Sequence, residues 1–389
     1  MRKTVLTSKE MLTRLVSFDT TSYKSNLELI HWVQNYLGEY GIKSSLIHNA
    51  TKNKANLHAV VGPEHKPGVV LSGHTDVVPV EGQAWDSDPF QLREHDGLLY
   101  ARGTCDMKGF IAVALSKLPQ MVSKPLTTPI HFALSYDEEV GCIGAHDIVK
   151  HMGTLPVRPR LCVVGEPTSM KAITGHKGIS AYDCTVHGKE IHSSLAPYAV
   201  NAVENAAELV TYIKSVARRM AHQGPFNKQF DPPFTTVHTG VFKGGTALNI
   251  VPQHCEFSFE IRNIPEVNPE VLVEEIRQYA FKTLEPHMKH IDPKSGFEFK
   301  PAAGVPAFDI ANDHEVVEFV LSLSGANTTE KVSFATEAGI FQKGGIPTVV
   351  CGPGSIAQAH KPNEFIAMEQ MTKCENFIDR LLDTMQKSA

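Results

Sequence analysis

Short, almost wholly apolar runs alternate with helical patterns over about the first 170 residues. The predicted strands are Leu57–Val61, Gly68–Ser72, Ile130–Ser135 and Leu161–Val164, and the predicted helices are Met107–Leu118 and Ala145–His151. Continuous apolar strands separated by helices are typical of a mostly parallel sheet in an α/β domain. The pattern returns after about residue 305, with a helix predicted over Asp313–Ser324 and a strand over Pro347–Cys351.

The middle of the chain has a different pattern, in which apolar and polar residues alternate along the predicted strands. The elements predicted there are strands at Ala181–His187, Thr235–Lys243 and Cys255–Arg262, and helices at Asn201–Met220 and Pro269–Leu284. One-sided strands and amphipathic helices favour a small two-layer α+β domain. We therefore expect a catalytic α/β domain over residues 1–179 and 304–389, with residues 180–303 inserted as a lid and dimerisation domain.

Composition narrows the functional classes. The net charge is −5 and the hydrophobic content is 42%, which gives no basic surface for nucleic acid and no apolar run long enough to span a membrane. The N-terminal 18 residues or so predict an amphipathic helix and not a signal peptide. The seven cysteines form no CxxC pair, which argues against a disulfide framework and for a cytoplasmic location.

Acidic residues and histidines follow directly after the predicted strands. The stretches with this layout are VVLSGHTD (Val69–Asp76), HFALSYDEEVG (His131–Gly141), LCVVGEP (Leu161–Pro167) and TVVCGPGSIAQAH (Thr348–His360), and ARGTCDMKG (Ala101–Gly109) places Asp106 at the start of a helix. Ligands of open α/β sheets bind at the carboxyl ends of the strands, so these side chains are expected to meet at one sheet edge. The expected cluster consists of His74, Asp106, Glu138 or Glu139, Glu166 and His360.

This cluster indicates a pair of divalent cations. Three carboxylates buried together without a counterion would repel one another and would be costly to desolvate. Nitrogen and oxygen ligands fit Zn²⁺ and also tolerate Co²⁺ or Mn²⁺. A catalytic zinc ion normally has three protein ligands plus water, so five ligands with one shared carboxylate suit two ions better than one.

Two further roles follow from local spacing. Residues two apart on an extended backbone point to the same side, so the Asp76 carboxylate is expected to reach the far nitrogen of His74 and orient its ring. Glu138 and Glu139 cannot both point the same way, so one is expected to bind metal and the other to act as general base.

Each residue also has a purely structural interpretation. The DEE stretch could complement a helix dipole, Asp106 could cap a helix, and His192 could be an ordinary surface histidine. These explanations would have to hold independently of one another, whereas the strand-end placement accounts for the acids and histidines of the cluster together. Cys105, which lies beside Asp106, is interpreted as a packing residue.

The chain resembles the acetylornithine deacetylase / succinyl-diaminopimelate desuccinylase family of dinuclear zinc hydrolases. The stretches that carry the resemblance, in order, are SGHTDVVP, WDSDPF, RGTCDMKG, DEEVGCIGA, VVGEPT, GKEIHSS, GTALNIVP and GPGSIAQAHKPNE. The resemblance implies a zinc-peptidase-like catalytic domain and places Asp106 between two metals. It assigns His74 and Glu166 to one metal, Glu139 and His360 to the other, the role of general base to Glu138 and the support of His74 to Asp76.

The resemblance also implies substrate contacts and a dimer. His192, Asn249 and Arg262 match lid positions that contact substrate. In related dimers the lid histidine reaches the partner's site, which implies a dimer through the lid here. Alternation of Phe257, Phe259 and Ile261 with polar residues independently places Arg262 on the polar face of its strand, where it could bind an α-carboxylate. Glu337, in the ATEAG stretch, is a further candidate for binding a substrate ammonium group.

The expected activity is metal-dependent hydrolysis of the amide bond of an N-acyl amino acid, with N²-acetyl-L-ornithine as the expected substrate. An alternative is another substrate with the same chemistry: succinyl-diaminopimelate, acetylcitrulline, a different acylated amino acid or a dipeptide. A succinyl group would need an additional cation, for which Lys177 or Lys243 could serve. The non-enzymatic alternative is an inactive metal-dependent binding protein.

Overall fold

The computed structural model describes residues 5–386, and the chain divides into two compact units. The first contains the residues up to Gly175, Phe308–Lys331 and the residues from Thr336 onward, and the second contains His176–Ala307 and Val332–Ala335. The second unit thus begins at residue 176 where 180 was expected, ends its main segment at 307 where 303 was expected, and includes a short additional piece. The catalytic and lid roles of the two units stay predictions.

The elements of the chain up to the start of the second unit are α1 (Ser8–Val16), α2 (Leu27–Glu39), β1 (Ser44–His48), β2 (Ala55–Val61), β3 (Val69–His74), β4 (Arg93–His95), β5 (Leu98–Tyr100), α3 (Gly109–Ser116), α4 (Leu118–Ser123), β6 (Ile130–Ser135), α5 (Ile143–Met152), β7 (Leu161–Pro167) and β8 (Ala172–His176). The second unit then contributes β9 (Gly178–His187), α6 (Ala202–Gln223), β10 (Thr236–Gly244), β11 (His254–Asn263), α7 (Pro269–Tyr279), α8 (Glu285–Ile291) and β12 (Gly296–Val305). The remaining elements are β13 (Phe308–Asp309), α9 (Glu315–Ser324), β14 (Thr329–Val332), α10 (Ala338–Lys343), β15 (Thr348–Gly352), β16 (Phe365–Ala367) and α11 (Met368–Gln386).

The first unit is organised around a nine-stranded sheet. Eight of its strands follow one another in the order β1-β2-β6-β3-β7-β15-β8-β13, and the ninth, β14, pairs with β8. The four central strands β6, β3, β7 and β15 are mutually parallel, and antiparallel pairs flank them. Every residue of β3, β6, β7 and β15 is buried, as expected for parallel strands covered on both faces. The predicted α/β fold with a mostly parallel sheet is confirmed.

The predicted helix over Met107–Leu118 begins later than expected. Thr104–Lys108 form an irregular turn in which Asp106 and Met107 have non-helical backbone angles, and regular helix begins only at Gly109. The peptide bond between Asp106 and Met107 is cis. Because the chain turns sharply there, Asp106 is presented before the helix and not on one of its faces.

The second unit is a four-stranded antiparallel sheet, β10-β11-β9-β12, covered on one side by helices. Buried and less buried residues alternate along β11, so Arg262 does lie on the polar face, as its sequence pattern predicted. Helix α6 begins at Asn201, whose side chain accepts hydrogen bonds from the backbone of Val203 and Glu204. The buried stripe of this helix includes Leu209 and Ile213, and Val210 packs at its margin.

Strand β12 is an element that the sequence analysis missed. It contains Pro301, and a proline within an apolar run argues against a central strand. Here the strand lies at the edge of the sheet, and its register shifts between Pro301 and Ala303. An edge position and an irregular register tolerate the missing backbone donor of proline.

The predicted N-terminal amphipathic helix is present as α1, although residues 1–4 of that segment lie outside the described residues. Thr7 and Glu10 exchange side-chain and backbone hydrogen bonds in a capping box at its start. All seven cysteines are unpaired and buried, which agrees with the expected absence of a disulfide framework. Among residues 5–386, no helix has the length and apolar character needed to cross a membrane.

The approach of strand β7 to helix α3 provides a test of the packing. A Cβ atom added at Gly165 would lie 2.0 Å from the ring of Phe110, so the two elements can meet only over a glycine. We expect Gly165→Ala to destabilise the chain by about 1–3 kcal/mol, measured by urea unfolding. The matched control is Gly38→Ala, since Gly38 in α2 has open space around its Cα and should not lose stability. Equal free energies of unfolding for wild type and Gly165→Ala would contradict this packing.

Candidate metal centre

The acids and histidines gather where the four parallel strands of the first unit end. His74 is the last residue of β3, Glu166 lies at the end of β7, and Glu138 and Glu139 follow β6. His360 comes from the loop after β15, which is the fourth member of the parallel group. The structure therefore brings the predicted strand-end residues together at one edge of one sheet, as the rule for open α/β sheets requires.

Asp106 lies between the two histidines. One of its carboxylate oxygens, Oδ1, is 3.1 Å from Nε2 of His74, and the other, Oδ2, is 3.0 Å from Nε2 of His360. Glu166 Oε1 lies 3.7 Å from the same nitrogen of His74, and Glu139 Oε2 lies 3.0 Å from the same nitrogen of His360. A single carboxylate thus faces two separate donor sets, each with one imidazole and one further carboxylate.

Glu138 also belongs to the cluster. The potential ligand atoms of His74, Asp106 and Glu139 lie within 4.8 Å of one another, and so do those of His74, Glu138 and Glu166. Glu139 pairs with an imidazole, whereas the carboxylate of Glu138 accepts from the thiol of Cys142 at 3.3 Å. This difference agrees with the assignment of Glu139 to a metal and Glu138 to proton transfer, which stays a prediction.

Asp76 contacts His74 in a different way from the one expected. The acceptor for Nδ1 of His74 is the backbone carbonyl oxygen of Asp76 at 2.9 Å, whereas the carboxylate is 3.6 Å away, too far for a hydrogen bond. Since a carbonyl oxygen can only accept, Nδ1 carries the hydrogen and Nε2 is turned toward Asp106 and Glu166. The tautomer is thus set as expected, but by the main chain.

The Asp76 carboxylate instead anchors the turn that carries the two glutamates. It accepts hydrogen bonds from the backbone N–H groups of Glu138 at 3.1 Å and Glu139 at 3.3 Å, and from the hydroxyl of Ser22 at 2.8 Å. Lys54 forms a buried ion pair with Asp137 in the same turn. The sequence analysis missed Ser22 and Lys54, because neither lies near a strand end or in a recognisable motif.

Close packing of the glutamates in the cluster raises the pKa values of their carboxyl groups. Burial raises the pKa values of Glu138 and Glu166 well above the usual range of a glutamate. The negative charges of neighbouring carboxylates raise both pKa values further. Burial, together with the charge of Asp106, raises the pKa of Glu139 to about 7. In the absence of cations, these groups therefore tend to retain protons near neutral pH.

The neighbouring carboxylates raise the pKa values of the two histidines and so favour their charged forms. The hydrogen bonds to Asp106 and Glu139 raise the pKa of His360 to about 10. Burial works against protonation of His74, but its hydrogen bond to Asp106 and the charge of Glu166 hold the pKa of the ring well above its ordinary value. Positive charge is thus strongly favoured between these carboxylates, whether a proton or a metal ion supplies it.

The donor set fits divalent metal ions. It consists of imidazole nitrogen and carboxylate oxygen atoms, and Oε1 of Glu139 is buried without a hydrogen-bond partner among the described residues. His74, Asp106 and Glu166 are buried, whereas the side chain of His360 is 53% exposed, so the cluster opens to the surface beside His360. Cys105, which lies next to Asp106, donates its thiol to the carbonyl oxygen of Ser355 and takes no part in the cluster.

The predicted substrate contacts His192, Asn249 and Arg262 all lie in the second unit. His192 and Asn249 are exposed, and the chain segments that carry them are paired, since Ser193 N–H donates to the carbonyl oxygen of Asn249 at 2.9 Å. The guanidinium group of Arg262 forms an ion pair with Glu260 at 3.0 Å. Their roles toward a substrate stay predictions.

Glu337 lies in the first unit and is buried, with only 1% of its surface exposed. It accepts a hydrogen bond from Ser72 of β3 at 3.1 Å. A substrate ammonium group could reach Glu337 only if the surrounding side chains moved. The role of Glu337 toward a substrate also stays a prediction.

The family model for peptidase family M20/M25/M40 matches residues 70–384. The chain belongs to this family. Among curated proteins, it is 35% identical to an acetylornithine deacetylase of Myxococcus xanthus, with 98% of each chain covered. It is 33% identical to an acetylornithine deacetylase of Pasteurella multocida, with 94% of this chain and 93% of the relative covered. The resemblance identified from sequence motifs is thereby confirmed.

Solved structures from the M20 family share the fold. The M20 metallo-carboxypeptidase Sso-CP2 of Sulfolobus solfataricus has a TM-score of 0.76 at 18% identity, covering 97% of this chain and 99% of the other. The YXEP protein of Bacillus subtilis, described as a dinuclear metal binding peptidase, has a TM-score of 0.62 at 15% identity, covering 98% and 100%. With its family membership, fold and donor cluster, the chain is a metal-dependent hydrolase of amide bonds.

Metal binding by this M20 chain should depend on pH. A ligand must lose its proton to bind metal, and Glu139 has a pKa of about 7 in the metal-free chain. Affinity for Zn²⁺ or Co²⁺ should therefore rise from pH 6 to pH 8, by up to about tenfold per pH unit for each proton displaced. Titration calorimetry in buffers of different ionisation enthalpy would measure both the affinity and the protons released.

The matched control for this pH dependence is Glu330→Gln, which removes an exposed carboxylate that pairs with Lys171. This variant should behave like the wild type. An affinity that stays constant between pH 6 and pH 8, with no proton release, would contradict the coupling of protons and metal.

Proposed function

We propose that the chain hydrolyses the amide bond of an N-acyl amino acid, with N²-acetyl-L-ornithine as its substrate, and that two divalent metal ions bind at the cluster. The observation that carries the proposal is the position of Asp106, whose two oxygens face His74 and His360 separately. The similarity to a dinuclear metal-binding M20 peptidase supports the presence of two ions. Zn²⁺ fits the donor set best, with Co²⁺ as the alternative.

Each metal would have three protein ligands. His74 and Glu166 would hold one, Glu139 and His360 would hold the other, and Asp106 would be shared. When bound, such ions would polarise the amide carbonyl and activate water for attack. The chain itself has to supply a base, a donor to the carbonyl oxygen and groups that hold the substrate.

Glu138 is the proposed general base. Its carboxylate lies within the cluster, and desolvation there raises its pKa, which suits a group that accepts a proton near neutral pH. It would take a proton from the attacking water and return one to the leaving amine. The thiol of Cys142 donates to one of its oxygens and restricts its orientation.

His192 is the proposed donor to the substrate carbonyl oxygen. Its Nδ1 accepts from the backbone N–H of Ser194 at 3.3 Å, which leaves the hydrogen on Nε2. Asn249 lies on the segment paired with it and would bind the substrate beside it. Arg262 would bind the α-carboxylate of the amino acid, after exchanging or sharing its ion pair with Glu260.

The acetyl group is favoured over a succinyl group. Relatives named acetylornithine deacetylase are 33–35% identical over nearly the whole chain, which supports acetylornithine. A succinyl carboxylate would need another cation, but the ammonium group of Lys177 is engaged by the carbonyl oxygen of Phe234 at 2.8 Å. Lys243 is exposed on β10 and could still serve for such a substrate.

Turnover by wild type and by Glu138→Gln tests both the substrate and the base. With metal-loaded protein, kcat/KM should be highest for acetylornithine in a panel that also contains acetylcitrulline, succinyl-diaminopimelate and a dipeptide. Glu138→Gln should lower kcat by about 10² to 10⁴ while metal content stays at the wild-type level, because a general base contributes this much without binding metal. Metal content is measured by elemental analysis.

The exposed substitution Glu330→Gln serves as the control and should leave turnover unchanged. The base assignment would be refuted if the Glu138→Gln variant kept its metal and retained a substantial fraction of wild-type kcat. Higher kcat/KM on succinyl-diaminopimelate would replace the acetylornithine proposal. Failure of metal-loaded wild type on every substrate would favour a metal-dependent binding protein.

A homodimer through the second unit is part of the proposal. Strand β10 lies at one edge of its sheet and exposes the apolar side chains of Val241 and Phe242. An exposed edge strand offers unpaired backbone groups to a second chain, and apolar residues there favour burial.

Charge placed on this edge should disrupt the dimer. We expect Val241→Lys to convert the dimer to monomer in light scattering, because burying an unpaired ammonium group is costly. Ala302→Lys adds the same charge to β12 at the other edge of the sheet and should leave the dimer intact. A monomeric wild type, or a dimer that Val241→Lys does not weaken, would be inconsistent with this interface.

A further inference from the structure

Glu364 is a buried carboxylate to which the reaction described above gives no role. Only 1% of its surface is exposed, and it lies directly before β16, four residues after His360. Its Oε1 accepts from the backbone N–H groups of Cys105 at 2.8 Å and of Asp106 at 3.0 Å. Its Oε2 accepts from the backbone N–H of Gly103 at 3.1 Å. The carboxylate thus binds the backbone of the turn that presents Asp106.

Arg102 forms the second part of the same network. It is also 1% exposed, and its Nη1 donates to Oε2 of Glu364 at 2.7 Å and to the carbonyl oxygen of Lys361 at 3.3 Å. Its Nη2 donates to Oε1 of Gln83 at 2.5 Å. The guanidinium group therefore links Glu364, the backbone beside His360 and Gln83.

Gln83 connects this network to the backbone of His360. Its Nε2 donates to the carbonyl oxygen of His360 at 2.9 Å. His360 has a φ angle of +64°, a left-handed conformation that a histidine adopts rarely and that needs support from its surroundings. The hydrogen bond from Gln83 fixes the peptide group next to this residue.

We propose that Glu364, Arg102 and Gln83 are positioning residues that set the distance between Asp106 and His360 and thereby the geometry of one metal site. Glu364 acts on the turn of Asp106, Gln83 acts on the backbone of His360, and Arg102 joins the two. The ion pair of Arg102 and Glu364 contacts both the turn that carries Asp106 and the segment that carries His360, which a pair with only a packing role would not be expected to do. The inference rests on the proposed function, because it concerns the metal that Asp106 and His360 would share with Glu139.

Gln83 is the position to test, because it is only partly buried and its replacement leaves the buried pair of Glu364 and Arg102 in place. Gln83→Leu removes the three side-chain hydrogen bonds of Gln83, to Arg102, His360 and Trp85. Gln83→Glu keeps the acceptor for Arg102 and Trp85 but loses the donor to His360. Both variants should bind one of two Co²⁺ ions about 10–100-fold more weakly, the loss observed when groups that orient metal ligands are removed. The second Co²⁺ should bind as in wild type.

The measurement is a Co²⁺ titration followed by the visible absorption bands of the bound metal, together with steady-state kinetics and thermal unfolding of the metal-free protein. The expected result is a changed spectrum for one site and a lowered kcat at subsaturating metal. KM and the unfolding midpoint of the metal-free chain should stay at wild-type values. Gln34→Leu is the matched control, since Gln34 is equally partly buried and hydrogen-bonds to Ser44 far along the chain from the cluster.

The outcomes separate the two proposals. Wild type that binds two Co²⁺ and is active, with both Gln83 variants unchanged in affinity and spectrum, would overturn the positioning role alone. Gln83 variants that lose metal only in proportion to a lowered unfolding midpoint would also overturn it, because the residue would then act through general stability. Wild type that binds no Co²⁺ would overturn the proposed function and this inference together.

Discussion

The first unit of this protein depends on how negative charge is accommodated at one edge of a parallel sheet. Glu138, Glu139 and Glu166 are forced close together by the strands that carry them, and burial disfavours the ionised form of each. Protons or metal ions must offset this charge, because a buried carboxylate without a counterion is strongly destabilising. The cluster is thus a site where folding brings together groups that repel each other unless a cation is present.

The backbone contributes as much to this arrangement as the side chains do. The carbonyl oxygen of Asp76 sets the tautomer of His74, while the Asp76 carboxylate holds the turn of Glu138 and Glu139. Main-chain groups are fixed by the fold and cannot rotate away as side chains can. Orientation of the cluster by such contacts keeps the ligand atoms in place before any cation arrives.

The sheet and its cluster could be predicted because the signals are local and unambiguous. Strand β6 coincides with its predicted bounds, β7 contains its predicted range, and β3 begins one residue after the predicted Gly68 and ends two residues after the predicted Ser72. Each of these strands is a continuous apolar run followed by turn residues. The rule that ligands gather at carboxyl ends then located the acids and histidines without knowledge of the strand order. Strand β12 escaped prediction because Pro301 masks an edge strand, and an edge position is a property of the whole sheet.

The buried residues that hold the turns around the cluster were the least predictable from the sequence. Glu364, Arg102 and Lys54 carry no signal of their own, because a buried charged residue looks the same in sequence as a surface one. Their importance depends on contacts between segments far apart in the chain, such as the 2.7 Å ion pair of Arg102 with Glu364. The hydrogen bonds of the Asp76 carboxylate to the turn after β6 were missed for a similar reason, since the spacing of Asp76 from His74 is visible in the sequence and the turn is not.

The strand order also constrains how the protein is made. Strand β15 pairs with β7 on one side and β8 on the other, although β7 and β8 are neighbours in sequence and β15 is synthesised almost two hundred residues later. Until then β7 has an open edge, and the nascent chain also lacks His360. Insertion of a late strand between two early ones makes completion of the sheet a late step in folding. The interval before it is when the unpaired edge is most exposed to aggregation and to chaperones.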